Sequence, residues 1–324
     1  MPSNFIYKTG LALLVSSVSL IPISLLANEP ITLRIADQKG NMRAQLDAAN
    51  ALEGAAYTVQ WSEFPAAAPL AEALNAGAVD AGIIGDAPLL FALAAGADIK
   101  AIAVNQSDPY GTAVLVNGDS EIETVEELRG RNIATGRGSI GHYVALRALD
   151  AHGLTQEDVN FRFMGPVDAR IALATGAVDA WSTWEPYTAF AELQEGARII
   201  ANGRGLTSGN SFIAATDTAI NDPAKHVALK DYLARLRDAQ TWSYENIDEY
   251  AATLAEIIGF PEDAAKLQYQ RRQLAWRDID EEIISQQQLT ADFYLQVGLI
   301  PDAIDVETTF DRSFTFHETG EEQP

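Results

Sequence analysis

No cysteine occurs in the 324 residues, which excludes a disulfide framework, a thiolate nucleophile and a cysteine-ligated metal. Histidine is nearly as scarce. His142, His152, His226 and His317 stand without ligand spacing, so no metal site and no cofactor is expected. Positive charge is also short, 22 Lys and Arg against 45 Asp and Glu, for a formal net charge of −23. A surface of that sign repels nucleic acid and anionic membrane, so neither is expected as a partner. It would repel an anionic ligand too, so any anion site must work through local dipoles and a few placed donors. The longest apolar run, residues 11–26, is interrupted by Ser16, Ser17, Ser19, Pro22 and Ser24, which disfavours a membrane anchor.

That run instead has the layout of a secretory signal. Lys8 precedes it, and Leu25-Leu26-Ala27 stands before polar Asn28 and Glu29, which places cleavage after Ala27 and a signal peptide over residues 1–27. A lipoprotein signal needs a cysteine at the cleavage point, so the mature chain is expected free in the periplasm. Cleavage removes one basic residue, 22 − 1 = 21 against 45 acidic, for a mature net charge of −24. At the other end, residues 317–324 read as a disordered acidic tail.

Between these ends the chain is organised around residues 131–153, RNIATGRGSIGHYVALRALDAHG, which read as a short buried strand, a glycine-rich turn and a helix. Gly136 and Gly138 let the backbone turn tightly, Ser139 sits at a helix N-cap position, and Val144, Ala145, Ala148 and Leu149 fall at helical spacing before Gly153. Free N–H groups and the positive end of the helix dipole favour a small oxyanion in that turn. The same residues match the dinucleotide fingerprint, Gly136-x-Gly138-x-x-Gly141. That fingerprint needs an acid about 20 positions on, at the end of the next strand, whereas here the strand 161–164 ends in Gly165-Pro166. An anion site of another kind and a purely structural turn are the remaining alternatives.

In chain order, a strand over residues 31–36 leads into the loop Asp37-Gln38-Lys39-Gly40-Asn41, and Gln38 becomes a candidate donor because ligands of open α/β sheets bind at such strand ends. A second strand is expected at 57–61, then an Ala- and Leu-rich helix. The segment 74–81, LNAGAVDA, recurs as 173–180, LATGAVDA, an offset of 99, and each copy runs through a short strand into an acid and a proline. Two copies of one unit imply two similar α/β lobes. Gly85, Asp86 and Ala87 would then face the cleft from one lobe and residues 181–187 from the other, the alternatives being that Asp86 caps a helix and that the rings of Trp184 and Tyr187 are core. Strands at 102–105 and 113–117, the latter ending in Gly118, look like the route into the second lobe, with a return near 212–215. The expected division is 30–117 plus 210–316 for the first lobe and 118–209 for the second. Helical patterns fill 223–244, 247–258, 261 onward and 281–297.

Several stretches taken together resemble the periplasmic aliphatic-sulfonate binding proteins of ABC importers, in the wider group that includes taurine and nitrate binders. They are Asp37-Gln38-Lys39-Gly40, Trp61-Ser62-Glu63-Phe64-Pro65, Gly85-Asp86-Ala87-Pro88, residues 136–143, Asp168-Ala169-Arg170, residues 178–187 and Gly298-Leu299-Ile300-Pro301. The resemblance implies a type II two-lobed periplasmic binding fold that closes over its ligand. It also implies a monomer that delivers the ligand to a membrane permease driven by an ATPase. The sulfonate would lie among Gln38, the turn of Gly85, Asp86 and Ala87, and the helix start at Gly138, Ser139, Ile140, Gly141 and His142, with Trp184 lining the cleft for the alkyl tail.

Where the family usually has a lysine this chain has Arg137; it has Ala87 and Ile140 in place of hydroxyl residues, and Glu185 in place of aspartate. These departures bear on the ligand rather than the fold, and leave nitrate or a sulfate ester as alternative cargo. A sulfonate carries three acceptors and no donor, which backbone N–H groups, Ser139, Gln38 and His142 can satisfy. A desulfinase or thiamine-precursor synthase on the same scaffold would want a cysteine, and a regulator would want a DNA-binding segment. No catalysis is therefore expected.

Overall fold

The computed structural model describes Met1 and residues 31–316; the expected signal peptide and acidic tail lie outside the described residues. The chain runs β1 (Ile31–Gln38), α1 (Asn41–Ala48), β2 (Tyr57–Phe64), α2 (Ala67–Asn75), β3 (Ala81–Gly85), α3 (Asp86–Ala94) and β4 (Ile99–Gln106). There follow β5 (Ala113–Val116), β6 (Asn132–Thr135), α4 (Ile140–Ala151), β7 (Asn160–Phe163), α5 (Pro166–Ala174), β8 (Ala180–Thr183), α6 (Tyr187–Glu195) and β9 (Arg198–Asn202). Then come β10 (Asn210–Thr216), α7 (Asp217–Asn221), α8 (Pro223–Glu245), α9 (Ile247–Ile258), α10 (Glu262–Arg272), β11 (Ala275–Arg277) and α11 (Glu281–Gln296).

Two sheets result, one ordered β11-β4-β10-β3-β1-β2 and the other β7-β6-β8-β5-β9. The first centres on parallel β2, β1 and β3, the second on parallel β7, β6 and β8. Each sheet also takes in, antiparallel, the strand that directly follows a crossing between the lobes. β10 lies antiparallel between β3 and β4, and β5 lies antiparallel between β8 and β9. All four residues of β5 are buried, as befits a strand covered on both faces.

That pairing moves the first lobe boundary. Residues 113–116, placed by sequence in the first lobe, hydrogen-bond within the second sheet, so the crossing lies at 107–112 rather than at 117–118. The reason is that four apolar residues suit either sheet interior, and only non-local pairing selects one. The second crossing is residues 203–209.

The internal repeat has a physical counterpart. Both copies end a helix, α2 or α5, in a glycine with left-handed φ, Gly77 at 65° and Gly176 at 71°, and then place an aspartate just before a central strand. Asp80 accepts the backbone N–H of Arg34 at 2.9 Å, and Asp179 accepts that of Asn132 at 2.8 Å. Each therefore ties the new strand to the parallel strand beside it, β1 or β6.

The lobes meet on two sides. At one, Tyr143, Val144 and Leu146 of α4 pack in a common apolar core with Leu90 of α3 and Phe293 and Tyr294 of α11, with Tyr143 edge-on to both rings at 5.5 Å. At the other, α10 packs on α6. There Arg271 is paired with Glu185 and, at 2.6 Å, with Glu192.

Candidate functional site

The strand ends, helix starts and both crossings converge on one interlobe cleft. Gln38, Ala67, Gly85 and Asp86 line it from the first lobe, Ser139, Ile140, Trp184 and Glu185 from the second, and Ser107, Asp108, Thr207 and Gly209 from the crossings. Of the residues singled out in the sequence, Gln38, Gly85, Asp86, Ser139, Ile140 and Trp184 are brought together here. Ala87, Gly138, Gly141 and His142 are not on the lining. Ala87 is fully buried in the apolar core shared with Leu90, so of the two replaced hydroxyl positions only Ile140 faces the cleft.

Helix starts carry the electrostatics, and carboxyl groups of the chain itself accept the free N–H groups of several of them. Asp37 accepts the N–H groups of Met42 and Arg43 at 2.9 and 2.8 Å, and Glu63 accepts that of Gly40 at 3.0 Å, so the start of α1 is satisfied internally. Asp37 is fully buried, and that burial with the nearby Glu63 charge pushes its carboxyl up to about 8. Glu185 accepts from the Ala189 N–H at 3.0 Å and so closes the start of α6. Asp86 accepts from its neighbour Ala87 N–H at 2.7 Å, and its other oxygen accepts from the hydroxyls of Ser208 at 2.8 Å and Thr207 at 3.3 Å. Its role is therefore to tie the second crossing to α3, and burial holds its carboxyl above the ordinary range.

The start of α4 is different, since no acid stands in its first turn. Ser139 is the N-cap, its Oγ accepting the His142 N–H at 3.1 Å. Among the described residues the N–H groups of Ile140 and Gly141 have no acceptor. Gly141 must be glycine for a packing reason: a Cβ there would stand 2.6 Å from the Ser182 carbonyl of β8. Gly138 holds φ at +68° with the Phe91 ring where a side chain would go. The α4 start is thus pressed close to β8 and α3, with an open dipole end. The start of α2 at Ala67, which also has neither side-chain cap nor first-turn acid, lines the cleft from the other lobe.

His142 was expected in the anion cradle but lies behind it, 1% exposed. Its ring accepts the Gly138 N–H at 3.3 Å and meets Phe161 and Phe163 edge-on at 5.0 Å. Burial and the Arg137 charge pull it down to about 4, so at neutral pH it is an uncharged prop for the turn. Gln38, on the lining, is partly engaged: its Nε2 donates to the Ile83 carbonyl at 2.8 Å, which leaves one amide hydrogen unspent. Trp184 lines the cleft with its ring edge-on to Tyr187 at 5.9 Å.

Two cations on the lining escaped the sequence analysis as site residues, Lys39 and Arg272. Lys39 sits within a loop already of interest, directly after Gln38, and its neighbour is the only signal that pointed to it. Arg272 ends α10, more than 230 residues along the chain from the Asn41 side chain it meets at 3.1 Å, and nothing local marks it.

The NMT1/THI5-like family model matches residues 62–231. A curated relative from Escherichia coli (strain K12), named for binding aliphatic sulfonates, is 34% identical over 284 residues, covering 86% of this chain and 88% of the relative. Among solved structures, the alkanesulfonate-binding protein SsuA from Xanthomonas axonopodis pv. citri bound to MOPS is similar with a TM-score of 0.83 and 32% identity, over 89% of this chain and 100% of that one. The periplasmic aliphatic sulphonate binding protein SsuA from Escherichia coli superposes with a TM-score of 0.79 at 31% identity, over 91% and 97%.

Proposed function

The chain belongs to the NMT1/THI5-like family, and on that premise we propose that it is a periplasmic solute-binding protein that captures aliphatic sulfonates and delivers them to an ABC importer. The observation that carries this reading is the open N-terminus of α4 in the interlobe cleft, where Ile140 offers an unpaired N–H group beside the Ser139 hydroxyl, with the unpaired N–H of Gly141 just behind the lining. A fully ionised group with three acceptors and no proton matches donors without a nearby free acceptor. Asp86 supports the choice of sulfonate over a protonated phosphate ester, since both of its oxygens are already occupied by the protein's own donors.

In this reading Gln38, the Gly85 turn, Ser139, Ile140 and Gly141 hold the sulfonate, and Trp184 covers the tail. Gly138 and His142 shape the turn from behind. The protein works as a monomer without catalysis, and the two lobes, joined by the crossings at 107–112 and 203–209, close on the ligand.

The test is calorimetry and thermal unfolding of residues 28–324 with alkanesulfonates of increasing length, taurine, nitrate, sulfate and phosphate. A ligand at about a thousand times its Kd stabilises the fold by about 4 kcal/mol, a clear rise in Tm. A response to sulfonates with a chain-length optimum supports the reading. Silence toward every sulfonate with a response to nitrate or sulfate would remove the sulfonate assignment and keep the binding-protein fold.

A further inference from the structure

Five charged side chains line the cleft, and they divide sharply by whether the protein already satisfies them. The three carboxylates are all engaged. Asp86 holds Ser208 and Thr207, Asp108 accepts from the Arg204 guanidinium at 2.9 and 3.1 Å, and Glu185 is paired with Arg271. The two cations are not. Among the described residues, neither Lys39 nor Arg272 lies within 4.0 Å of a carboxylate oxygen. Lys39 Nζ faces the rings of Tyr187 and Phe260 at 5.5 and 5.1 Å, and Arg272 spends one nitrogen on Asn41 Oδ1. In a chain with twice as many acids as bases, two half-buried cations that feel Glu63 and Glu185 only from beyond 4.0 Å, with no carboxylate oxygen in direct contact, mark a place left for an anion from outside.

That place has different neighbours from the α4 start. Ser139 and Ile140 lie where α4 abuts α3, with Ile140 Cβ within 4.0 Å of the position a Gly85 Cβ would take. Lys39 and Arg272 lie where α10 abuts α6 and the first crossing, Arg272 accepting the Asp108 N–H on its carbonyl at 2.6 Å. A guanidinium with unspent donors, with an ammonium on the same lining, suits a planar carboxylate, which takes two parallel hydrogen bonds from arginine.

We propose that the cleft is built for sulfonates that carry a second anionic group on the tail, a carboxylate above all, with the sulfonate at the α4 start and the carboxylate between Arg272 and Lys39. The inference rests on the sulfonate reading of the cleft and narrows its substrate class.

The experiment compares 3-sulfopropionate with propane-1-sulfonate by calorimetry at neutral pH, on the mature chain and on Arg272→Gln and Lys39→Gln variants whose folding is checked by circular dichroism. The expected result is a Kd at least tenfold lower for the sulfocarboxylate, with that ratio falling toward one in each folded variant. Equal affinities in the unaltered chain, or a ratio that survives both substitutions, would overturn the proposal and leave the sulfonate reading in place. If neither compound binds at millimolar concentration, both readings fall together. Because the comparison in the unaltered chain decides by itself, a variant that fails to fold does not block the test.

Discussion

Replacing Ser139 by alanine separates two jobs that one hydroxyl performs. As N-cap of α4, its oxygen accepts the His142 N–H at 3.1 Å, and loss of such a cap costs about 1 kcal/mol. In a chain of this size that corresponds to a fall in Tm of roughly 2 °C, and the urea midpoint should drop with an unchanged slope. While the oxygen accepts from the helix, the hydroxyl proton remains free to donate into the cleft, Thr135 being no nearer than 3.5 Å. A hydrogen bond from it to a sulfonate oxygen contributes about 1–2 kcal/mol, so Ser139→Ala should weaken binding roughly 5- to 30-fold by calorimetry. Ser139→Thr retains both functions and should stay near the parent in both assays. A weaker fold with unchanged Kd would confine Ser139 to capping and refute the anion site as drawn. An unchanged urea midpoint would refute the capping role.

Gly141→Ala brings a methyl group to 2.6 Å from the Ser182 carbonyl, and moving α4 off β8 should cost about 1–3 kcal/mol in urea unfolding and weaken sulfonate binding; a fully stable, fully binding variant would show that the helix can shift freely. Arg271→Met leaves Glu185, 5% exposed at its side chain, buried without its partner, and the loss should be about 3 kcal/mol, part of it recovered by adding Glu185→Gln; additive losses in the double variant would rule out the pairing as the cause. Asp37 titrates near 8 when folded and near 4 when unfolded, so its folded form binds the extra proton in between. Stability from this group is complete below pH 4 and declines as pH rises toward 8, by about 1.4 kcal/mol per pH unit, and Asp37→Asn should flatten that decline. An identical pH profile in the variant would show that Asp37 is ionised throughout.

Much of the architecture was legible along the chain because it rests on local periodicity. The helices at 223–245, 247–258 and 281–296 carry their apolar faces at helical spacing, and the strand-turn-helix at 132–151 announces itself by Gly136, Gly138 and Ser139. The repeat at 74–81 and 173–180 likewise disclosed two lobes, because each copy performs the same local task, ending a helix and anchoring a strand through Asp80 or Asp179.

What local pattern could not settle was partnership. Four buried apolar residues at 113–116 form a strand in any context, yet which sheet they join depends on β8 and β9, some 65 to 90 residues further on. His142 stands in the first turn of the helix that bears the anion site, and its type and position suit a ligand contact. Only the packing of Phe161 and Phe163 against it shows that the ring points away. Arg272 illustrates the opposite case: unremarkable at the end of its own helix, it gains its meaning from the cleft that α10 flanks. Residue type and spacing thus determine where helices, strands and donors occur. Which side chains face one another across the cleft, and which charges are left without a partner there, is decided by long-range packing that no short stretch encodes.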